Sequence, residues 1–328
     1  MKLSPTSNRR ALLAASIASL LFGLAAAPVT AQPALDLKII APAGPGGGWD
    51  SASRSLQQVL TATGAAKNVQ VVNVPGAGGT VGLAQFVNNA KGDGNQLMVM
   101  GITMVGAVLT NKAPVGLDAV TPIARMTGDP LVVVVPANSP HKTLKDLAAA
   151  VKADTSKVVW AGGSAGGADH ILAGLIAKQA GGDAAKLNYV PFSGGGEALA
   201  EMLGGRVSAG VSGYNEFESQ IKAGKLRALG VSTAKRIEGV DVPTLKEQGI
   251  DVELVNWRGV VAGPGINARQ KAALVAAVNK ALKSPEWAKI SKARGWDDAY
   301  LDGDAFAAFL KSDQQRVKDV LSSIGLVK

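Results

Sequence analysis

The stretch IIAPAGPGGGWDSASRSLQQVL, residues 39–60, runs from a short apolar segment through a glycine-rich loop into a helical pattern. The same order of strand, loop and helix returns at residues 69–90, 157–179 and 187–205. Strands of Val and Ile that alternate with helices predict an α/β fold, with mostly parallel sheets covered by helices on both faces. Ligands in such folds bind at the carboxyl ends of the strands, where these four loops are expected to lie.

Glycine-rich loops at helix starts are typical anion sites, because backbone N–H groups there lack partners within the helix. The specific nucleotide signatures are absent. None of the four loops has the Lys that a P-loop requires after its glycines. The dinucleotide pattern fails as well, since Gly44 and Gly46 are followed by Trp49, and Gly76 and Gly78 by Val81, where a third glycine is needed.

Two extended runs predict how the chain is divided. PLVVVVPA, residues 130–137, and KLRALGVST, residues 225–233, flank the third and fourth units and are predicted to cross between two lobes. Lobe 1 would contain residues 36–136 plus 229–328, and lobe 2 would contain residues 137–228. The two crossing strands would then form a hinge, as in a type II-like periplasmic binding protein fold.

The last segments of the chain carry clear helix signals. Phe306, Leu310 and Val317 share one face of a helix, which indicates a core stripe. Asn267 followed by Gln270 indicates a capping box at the start of another helix.

The first 31 residues resemble a secretory signal peptide. Lys2, Arg9 and Arg10 precede an apolar run over residues 11–27, and the small-residue pattern VTA follows at residues 29–31. Cleavage after Ala31 would release a periplasmic protein that begins at Gln32. A membrane anchor is the weaker alternative, and Arg9-Arg10 leaves both the Sec and the twin-arginine export routes open.

Composition excludes several classes of protein. The chain has no cysteine, which excludes disulfides and a lipid-modified cysteine anchor, and its two histidines offer no metal cluster. The formal net charge is +9, but the basic residues are scattered and aromatics make up 4% of the chain, so no nucleic-acid surface is predicted. We expect no cofactor, no metal and a monomer.

One motif suggests an enzyme. GGSAG, residues 162–166, matches the G-x-S-x-G elbow of serine hydrolases and lies between a predicted strand and helix. The triad lacks its histidine, because His141 precedes Ser164 and His170 lies six residues after it, beside Asp169 on the same helix. The hydrolase therefore stays the weaker hypothesis.

Several segments together resemble a known family. They are APAGPGGGWD, NVPGAGGTVGLAQFV, WAGGSAGGADHILAGLIAK, VPFSGGGEAL, GGRVSAGVSGYNEF, GKLRALGVST and VPTLKEQGIDVELVNWRGV. In this order they are similar to the solute-binding proteins of tripartite tricarboxylate transporters, the TctC branch of the Bug family. The resemblance covers essentially all of the chain after the signal peptide. It implies a two-lobed periplasmic protein that closes on a small carboxylate and delivers it to a large and a small membrane subunit.

The resemblance also implies a set of ligand-binding residues. In lobe 1 they are Gly46, Gly47, Gly48, Trp49, Asp50, Gly76, Ala77, Gly78, Gly79 and Thr80. In lobe 2 they are Gly163, Ser164, Ala165, Gly166, Asp169, His170, Ser193, Gly194, Tyr214 and Asn215. Many relatives have Thr-Asp where this chain has Trp49-Asp50, which favours the tricarboxylate-type branch.

Other roles are open for several of these residues. Asp50 could cap a helix start, Thr80 and Ser193 could satisfy loop amides, and His170 could be a packed histidine. Arg258, beside Trp257 on a predicted strand, is expected to complement a second carboxylate of the ligand.

The sequence therefore predicts an extracytoplasmic receptor for a citrate-like tricarboxylate or a dicarboxylate, with no enzymatic activity. A receptor that presents its ligand to a sensor kinase would have the same sequence features.

Overall fold

The computed structural model describes residues 35–192 and 194–328, and the predicted signal peptide lies outside these residues. Ten strands are described: β1 Leu35–Ala41, β2 Ala66–Asn73, β3 Gln96–Gly101, β4 Thr121–Pro136, β5 Val159–Gly162, β6 Asn188–Pro191, β7 Ala209–Gly213, β8 Leu226–Val231, β9 Val255–Ala262 and β10 Asp297–Leu301. Ten α-helices accompany them: α1 Gly48–Ala62, α2 Thr80–Asn89, α3 Ile102–Thr110, α4 Leu144–Ala153, α5 Ala168–Gln179, α6 Gly195–Leu203, α7 Tyr214–Lys222, α8 Ala268–Leu282, α9 Pro285–Ala293 and α10 Gly303–Ser323.

The four predicted strand–loop–helix units are confirmed, as β1–α1, β2–α2, β5–α5 and β6–α6. Two further units of the same kind, β3–α3 and β7–α7, were not singled out from the sequence. The strands follow the order β2-β1-β3-β9-β4-β7-β5-β6, and β8 and β10 also pair with β4. β1 pairs in parallel with β2 and β3, and β5 pairs in parallel with β6 and β7.

Strand β4 joins the two halves of the sheet, one formed by β2, β1, β3 and β9 and the other by β7, β5 and β6. Residues 121–130 pair antiparallel with β9, and residues 131–136 pair antiparallel with β7 and β8. The side chains of residues 131–135 are fully buried, as a strand covered on both faces requires. Part of the predicted crossing segment, residues 130–137, is thus the second half of one long strand. The lobe boundaries proposed from the sequence stay a prediction.

The two helix signals near the end of the chain are confirmed. Asn267 and Gln270 form a capping box at the start of α8. Phe306, Leu310 and Val317 are buried on one face of α10, which packs against β4. No helix among residues 35–192 and 194–328 is long and apolar enough to cross a membrane.

Candidate functional site

A cavity of about 620 Å³ lies at the carboxyl ends of the parallel strands. It takes residues from all four predicted loops and from the starts of α3 and α7. Its wall is formed by Pro42, Ala43, Gly44, Gly47, Gly48, Trp49, Pro75, Gly76, Ala77, Gly78, Gly79, Thr103, Asn111, Gly163, Ser164, Ala165, Gly167, Ala168, Asp169, Pro191, Phe192, Gly194, Gly195, Glu197, Ser212, Glu216, Asn256 and Arg258. Its size suits a small-molecule ligand.

The α-helices of the described chain divide into two groups by their N-caps. The six helices that begin at the cavity have glycine N-caps without a side-chain capping bond: Gly47, Gly79, Gly101, Gly167, Gly194 and Gly213. The four that begin elsewhere have side-chain caps: Thr143, Asn267, Ser284 and Asp302. A glycine cap leaves the first backbone N–H groups of a helix without a side-chain acceptor. The cavity is therefore surrounded by helix N-termini whose dipoles favour an anion.

Asp50 organises the first loop from behind the wall. Its side chain is buried, and its carboxylate accepts hydrogen bonds from the Gly46 N–H at 2.8 Å, Asn73 Nδ2 at 2.8 Å and Arg54 Nε at 3.0 Å. Burial alone would raise the pKa of Asp50, but the bonds from Arg54, Gly46 and Asn73 outweigh it and hold the pKa below its usual value. Asp50 thus fixes the loop instead of lining the cavity.

The second loop depends on left-handed backbone conformations. Gly76, Gly78 and Gly79 have φ values of 137°, 63° and 89°, and Ala77 has 48°. A Cβ atom on Gly79 would lie 2.7 Å from Trp49, so close packing also requires glycine there. Thr80 Oγ1 donates to the Ala77 carbonyl at 2.9 Å, inside the loop.

Val81 is the second residue of α2, directly after the second loop. A Cβ atom on Gly76 would lie 2.9 Å from a Val81 methyl group, so Val81 packs directly on the loop that lines the cavity. It nevertheless keeps 42% of its surface exposed. Val81 is therefore an exposed apolar side chain in direct contact with the cavity wall.

The third loop is held by its own side chains. Asp169 Oδ2 accepts from the Gly163 N–H at 2.7 Å, and the Tyr189 hydroxyl donates to the Gly163 carbonyl at 2.7 Å. His170 Nδ1 accepts from the Gly166 N–H at 3.2 Å, and the His170 ring stacks on Tyr189 with 4.0 Å between centroids. Burial lowers the pKa of His170 to about 4, so it is neutral at pH 7. His170 is a packed residue that supports the loop.

Arg258 is the single arginine, with no lysine, among the described residues of the cavity wall. Its Nη2 donates to Asp129 Oδ2 at 2.6 Å, and both side chains are buried. A Cβ atom on Gly48 would lie 2.5 Å from the same Nη2, so the guanidinium lies against the start of α1. The predicted partner of a second ligand carboxylate is thus already paired with a carboxylate of the protein.

The structure brings most of the sequence-predicted residues to one cavity. Thirteen line its wall: Gly47, Gly48, Trp49, Gly76, Ala77, Gly78, Gly79, Gly163, Ser164, Ala165, Asp169, Gly194 and Arg258. Seven lie outside it: Gly46, Asp50, Thr80, Gly166, His170, Tyr214 and Asn215. For Asp50, Thr80 and His170 the reason is the loop bonds just described. Ser193 lies outside the described residues.

The sequence analysis did not predict several polar residues of the cavity wall. Some of them lie just after a single glycine, and others lie near the end of a strand. Thr103 follows Gly101 at the start of α3, and Ser212 precedes Gly213 at the start of α7. An apolar run that ends in one glycine before a helical pattern would have located both. Asn111 and Asn256 also line the cavity, and nothing in the sequence distinguishes them from ordinary surface amides.

A second and larger cavity, about 1520 Å³, lies between α9, β10 and residues 233–239. Its wall mixes basic and acidic side chains with Trp287, Trp296 and Tyr300. None of the six glycine-capped helices begins there, so the smaller cavity is the candidate site.

Comparison with known proteins identifies the family. Residues 53–326 match the family model of the tripartite tricarboxylate transporter family receptor, TctC. The chain belongs to this family. It is 33% identical over 258 residues to a UPF0065 protein of Agrobacterium vitis, a match that covers 77% of this chain and 73% of that protein.

Solved structures of TctC and Bug proteins have the same fold. The periplasmic binding protein BugD is 25% identical with a TM-score of 0.79, over 90% of this chain and 99% of that one. MatC from Rhodopseudomonas palustris, solved with bound malate, is 25% identical with a TM-score of 0.77, over 88% and 99% of the two chains. The predicted α/β periplasmic binding protein fold is therefore confirmed.

In a TctC receptor, the elbow-like motif at residues 162–166 forms part of a binding cavity and does not need to catalyse a reaction. Ser164 lines the cavity between β5 and α5, but the nearby His170 is occupied by the Gly166 N–H and by Tyr189. His170 is therefore not placed as the base of a triad with Ser164. As a member of the TctC receptor family, the chain is a binding protein, not an enzyme, and the hydrolase hypothesis is wrong.

Proposed function

We propose that this TctC receptor captures a citrate-like tricarboxylate or a dicarboxylate in the 620 Å³ cavity and delivers it to the large and small membrane subunits of a tripartite transporter. The observation that carries the proposal is the division of N-caps. Glycine occupies the cap of every described α-helix that begins at the cavity, and side-chain caps occur at the helices that begin elsewhere. The N–H groups at these helix starts provide donors for carboxylate oxygens without a cluster of cationic side chains, although those of Ala168 and Gly195 already bond the Thr103 hydroxyl and the Glu216 carboxyl group.

The bound malate of the relative MatC supports a small carboxylate as the ligand. The proposal includes export to the periplasm with cleavage after Ala31, for which the sequence pattern at residues 29–31 is the support.

A thermal-shift screen with mono-, di- and tricarboxylates tests the ligand class. A ligand at 100 times its dissociation constant adds about 2.7 kcal/mol to the free energy of unfolding. We expect a rise in melting temperature with di- or tricarboxylates and a smaller one with matched monocarboxylates. Calorimetric titration of the best compound should give one site per chain. The absence of any shift across the whole panel would contradict the proposal.

The proposal also includes closure of the cavity about the two crossing segments, between lobe 1 (36–136 plus 229–328) and lobe 2 (137–228). Loops from both halves of the sheet line the cavity, so they must approach each other to surround a ligand. Small-angle scattering should give a smaller radius of gyration at saturating ligand. An unchanged radius would count against these hinge positions.

A further inference from the structure

The two walls of the cavity differ in charge. The wall formed by loops 42–49 and 75–79, with Thr103 and Asn111, contributes no acidic or basic side chain from its own described residues, and the Arg258 guanidinium from β9 lies against Gly48. The opposite wall carries Asp169, Glu197 and Glu216. A ligand with a carboxylate at each end that spans the cavity would place one end against neutral backbone donors and bring the other end near Asp169 and Glu216.

The positive charge of Arg258 does not neutralise the carboxyl groups of the opposite wall. Arg258 is bonded to Asp129, so the two side chains largely cancel each other's charge. A second carboxylate from the ligand would therefore approach the carboxyl groups of Asp169 and Glu216. Like charges gathered in one cavity are electrostatically unfavourable, which favours protonation of one of them.

Asp169 and Glu216 both line the cavity. They start neighbouring helices, α5 and α7, after neighbouring strands, β5 and β7. Glu216 as a residue is exposed, but its carboxyl group is surrounded by protein and faces the Ser212 hydroxyl and the Gly195 N–H. A Cβ atom on Gly195 would overlap Glu216 Oε2, so glycine is what admits this carboxyl group.

The protonation of both acids is shifted in the same direction. Burial raises the pKa of Asp169 to about 7, and the charges of Glu216 and Asp129 add to the rise. The Gly163 N–H and Arg258 oppose it. The protein around the Glu216 carboxyl raises its pKa, Asp129 adds to this, and Arg258, Ser212 and Gly195 oppose it.

Two other groups near Asp169 do not compete for the proton near neutral pH. Burial and the Asp169 charge raise the pKa of Tyr189 well above its usual value, so the phenol stays neutral. His170, on the same helix as Asp169, is neutral because burial lowers its pKa.

The geometry points to Asp169 and Glu216 as specificity-determining residues that share one proton with the far carboxyl group of the ligand. The cavity would thus take a di- or tricarboxylate with one carboxyl group protonated, and a carboxyl–carboxylate hydrogen bond would replace repulsion between anions. The proton is taken from solvent when the ligand binds and returns to solvent when the ligand leaves. This inference rests on the proposed function and specifies the form of its ligand.

Calorimetric titrations with succinate, malate and adipate in two buffers of different ionisation enthalpy test the inference. We expect the wild type to take up a proton on binding, with an uptake that approaches one at pH 8.5. The association constant should then fall by about tenfold per pH unit between pH 7.5 and 8.5. Dissociation constants that stay equal between pH 7 and 8.5, with no buffer-dependent heat, would overturn the inference.

Three variants locate the proton. Asp169→Asn keeps an acceptor for the Gly163 N–H, and its binding should lose proton uptake and become independent of pH. Glu216→Gln should reduce the uptake, because it removes one of the two protein carboxyl groups that share the proton in the complex. Glu218→Gln is the control, since Glu218 lies on the same helix, pairs with Lys222 and does not line the cavity. Full uptake in both Asp169→Asn and Glu216→Gln would contradict the assignment.

A matched pair of ligands tests the alternative that Asp169 and Glu216 bind a cationic group of the ligand. Succinate and 4-aminobutanoate have similar lengths, but the second carries an ammonium group in place of one carboxylate. Tighter binding of 4-aminobutanoate without proton uptake would show that the acids bind a cationic group, and would overturn the shared proton. If none of the carboxylates binds, the proposed function itself fails, which is a separate outcome.

Discussion

Arg258 on β9 and Asp129 on β4 form a buried ion pair, with 2.6 Å between Nη2 and Oδ2, beside the candidate ligand cavity. Asp129 lies where β4 changes partners, because residues up to Pro130 pair with β9 and residues from Leu131 pair with β7. Burial raises the pKa of Asp129, and Arg258 opposes that shift. Arg258, the basic residue of the described cavity wall, is therefore bonded to β4, the strand that pairs with β9 in one part of the sheet and with β7 in the other.

Loss of one partner of this pair should be costly. Arg258→Met leaves a buried carboxylate without its cation, and we expect it to lower the free energy of unfolding by about 3–5 kcal/mol. The double variant Arg258→Met with Asp129→Asn should recover much of that loss. Urea denaturation of the three proteins measures both effects. Arg236→Met, at an exposed pair, is the control and should cost at most about 1 kcal/mol. A cost this small for Arg258→Met would contradict the prediction.

Two adjacent glycines of α6 should respond differently to alanine. A Cβ atom on Gly195 would overlap Glu216 Oε2 and lie 2.5 Å from Ser212 Oγ, whereas one on Gly196 would meet nothing within 4 Å. Gly195→Ala should displace Glu216 and weaken carboxylate binding by about tenfold or more, a loss of about 1.4 kcal/mol. Gly196→Ala should leave binding unchanged and stabilise the helix by about 0.5–1 kcal/mol. Calorimetry and thermal unfolding compare the two, and equal binding by both variants would refute the proposed contact.

A serine at the N-cap of α1 should lower carboxylate affinity, because its hydroxyl would accept a hydrogen bond from an N–H group of the helix. Gly47 has extended backbone angles that serine can adopt, and a new Cβ atom would lie 3.3 Å from the Gly44 carbonyl oxygen. In Gly47→Ser the hydroxyl would accept from an N–H of α1 that otherwise faces the ligand. We expect stability within about 0.5 kcal/mol of the wild type, and carboxylate affinity lower by about tenfold.

The matched control lies at a helix that starts away from the cavity. Asn267→Ala removes the α8 cap and should cost about 1 kcal/mol of stability without a change in affinity. Wild-type affinity in Gly47→Ser would indicate that the α1 N-terminus does not bind the ligand.

Ser164 should act as a hydrogen-bond donor without reactivity. Ser164→Ala removes one hydroxyl from the cavity wall, and we expect carboxylate binding to weaken by about 1–3 kcal/mol with unchanged stability. Neither protein should hydrolyse p-nitrophenyl acetate, because His170 is engaged by the Gly166 N–H. Turnover by the wild type that disappears in Ser164→Ala would restore the hydrolase hypothesis.

The sequence predicted the repeated local architecture well, because it depends on nearby residues. Apolar runs, glycine-rich loops and helical patterns lie within about twenty residues of each other in units such as β1–α1 and β5–α5. The units β3–α3 and β7–α7 were not predicted, because each has only a single N-cap glycine, Gly101 or Gly213, between its strand and its helix.

Pairings across long distances in the chain could not be predicted in the same way. Asp129 and Arg258 are 129 positions apart, and only the register of β4 against β9 brings them together. The stacking of His170 on Tyr189 depends likewise on the pairing of β5 with β6. Residue type alone suggested both Arg258 and His170 as ligand contacts, with a packed role as the alternative for His170, although in the structure Arg258 is paired with an acid and His170 supports a loop.

Val81 gives this protein a practical use as an optical sensor. It is exposed, it packs on the Gly76 loop of the cavity, and the chain contains no cysteine. A thiol-reactive fluorophore on Val81→Cys would therefore label a single position beside the wall of the candidate cavity. Carboxylate concentrations could then be followed as fluorescence in mixtures where a calorimeter or a melting curve gives no usable signal.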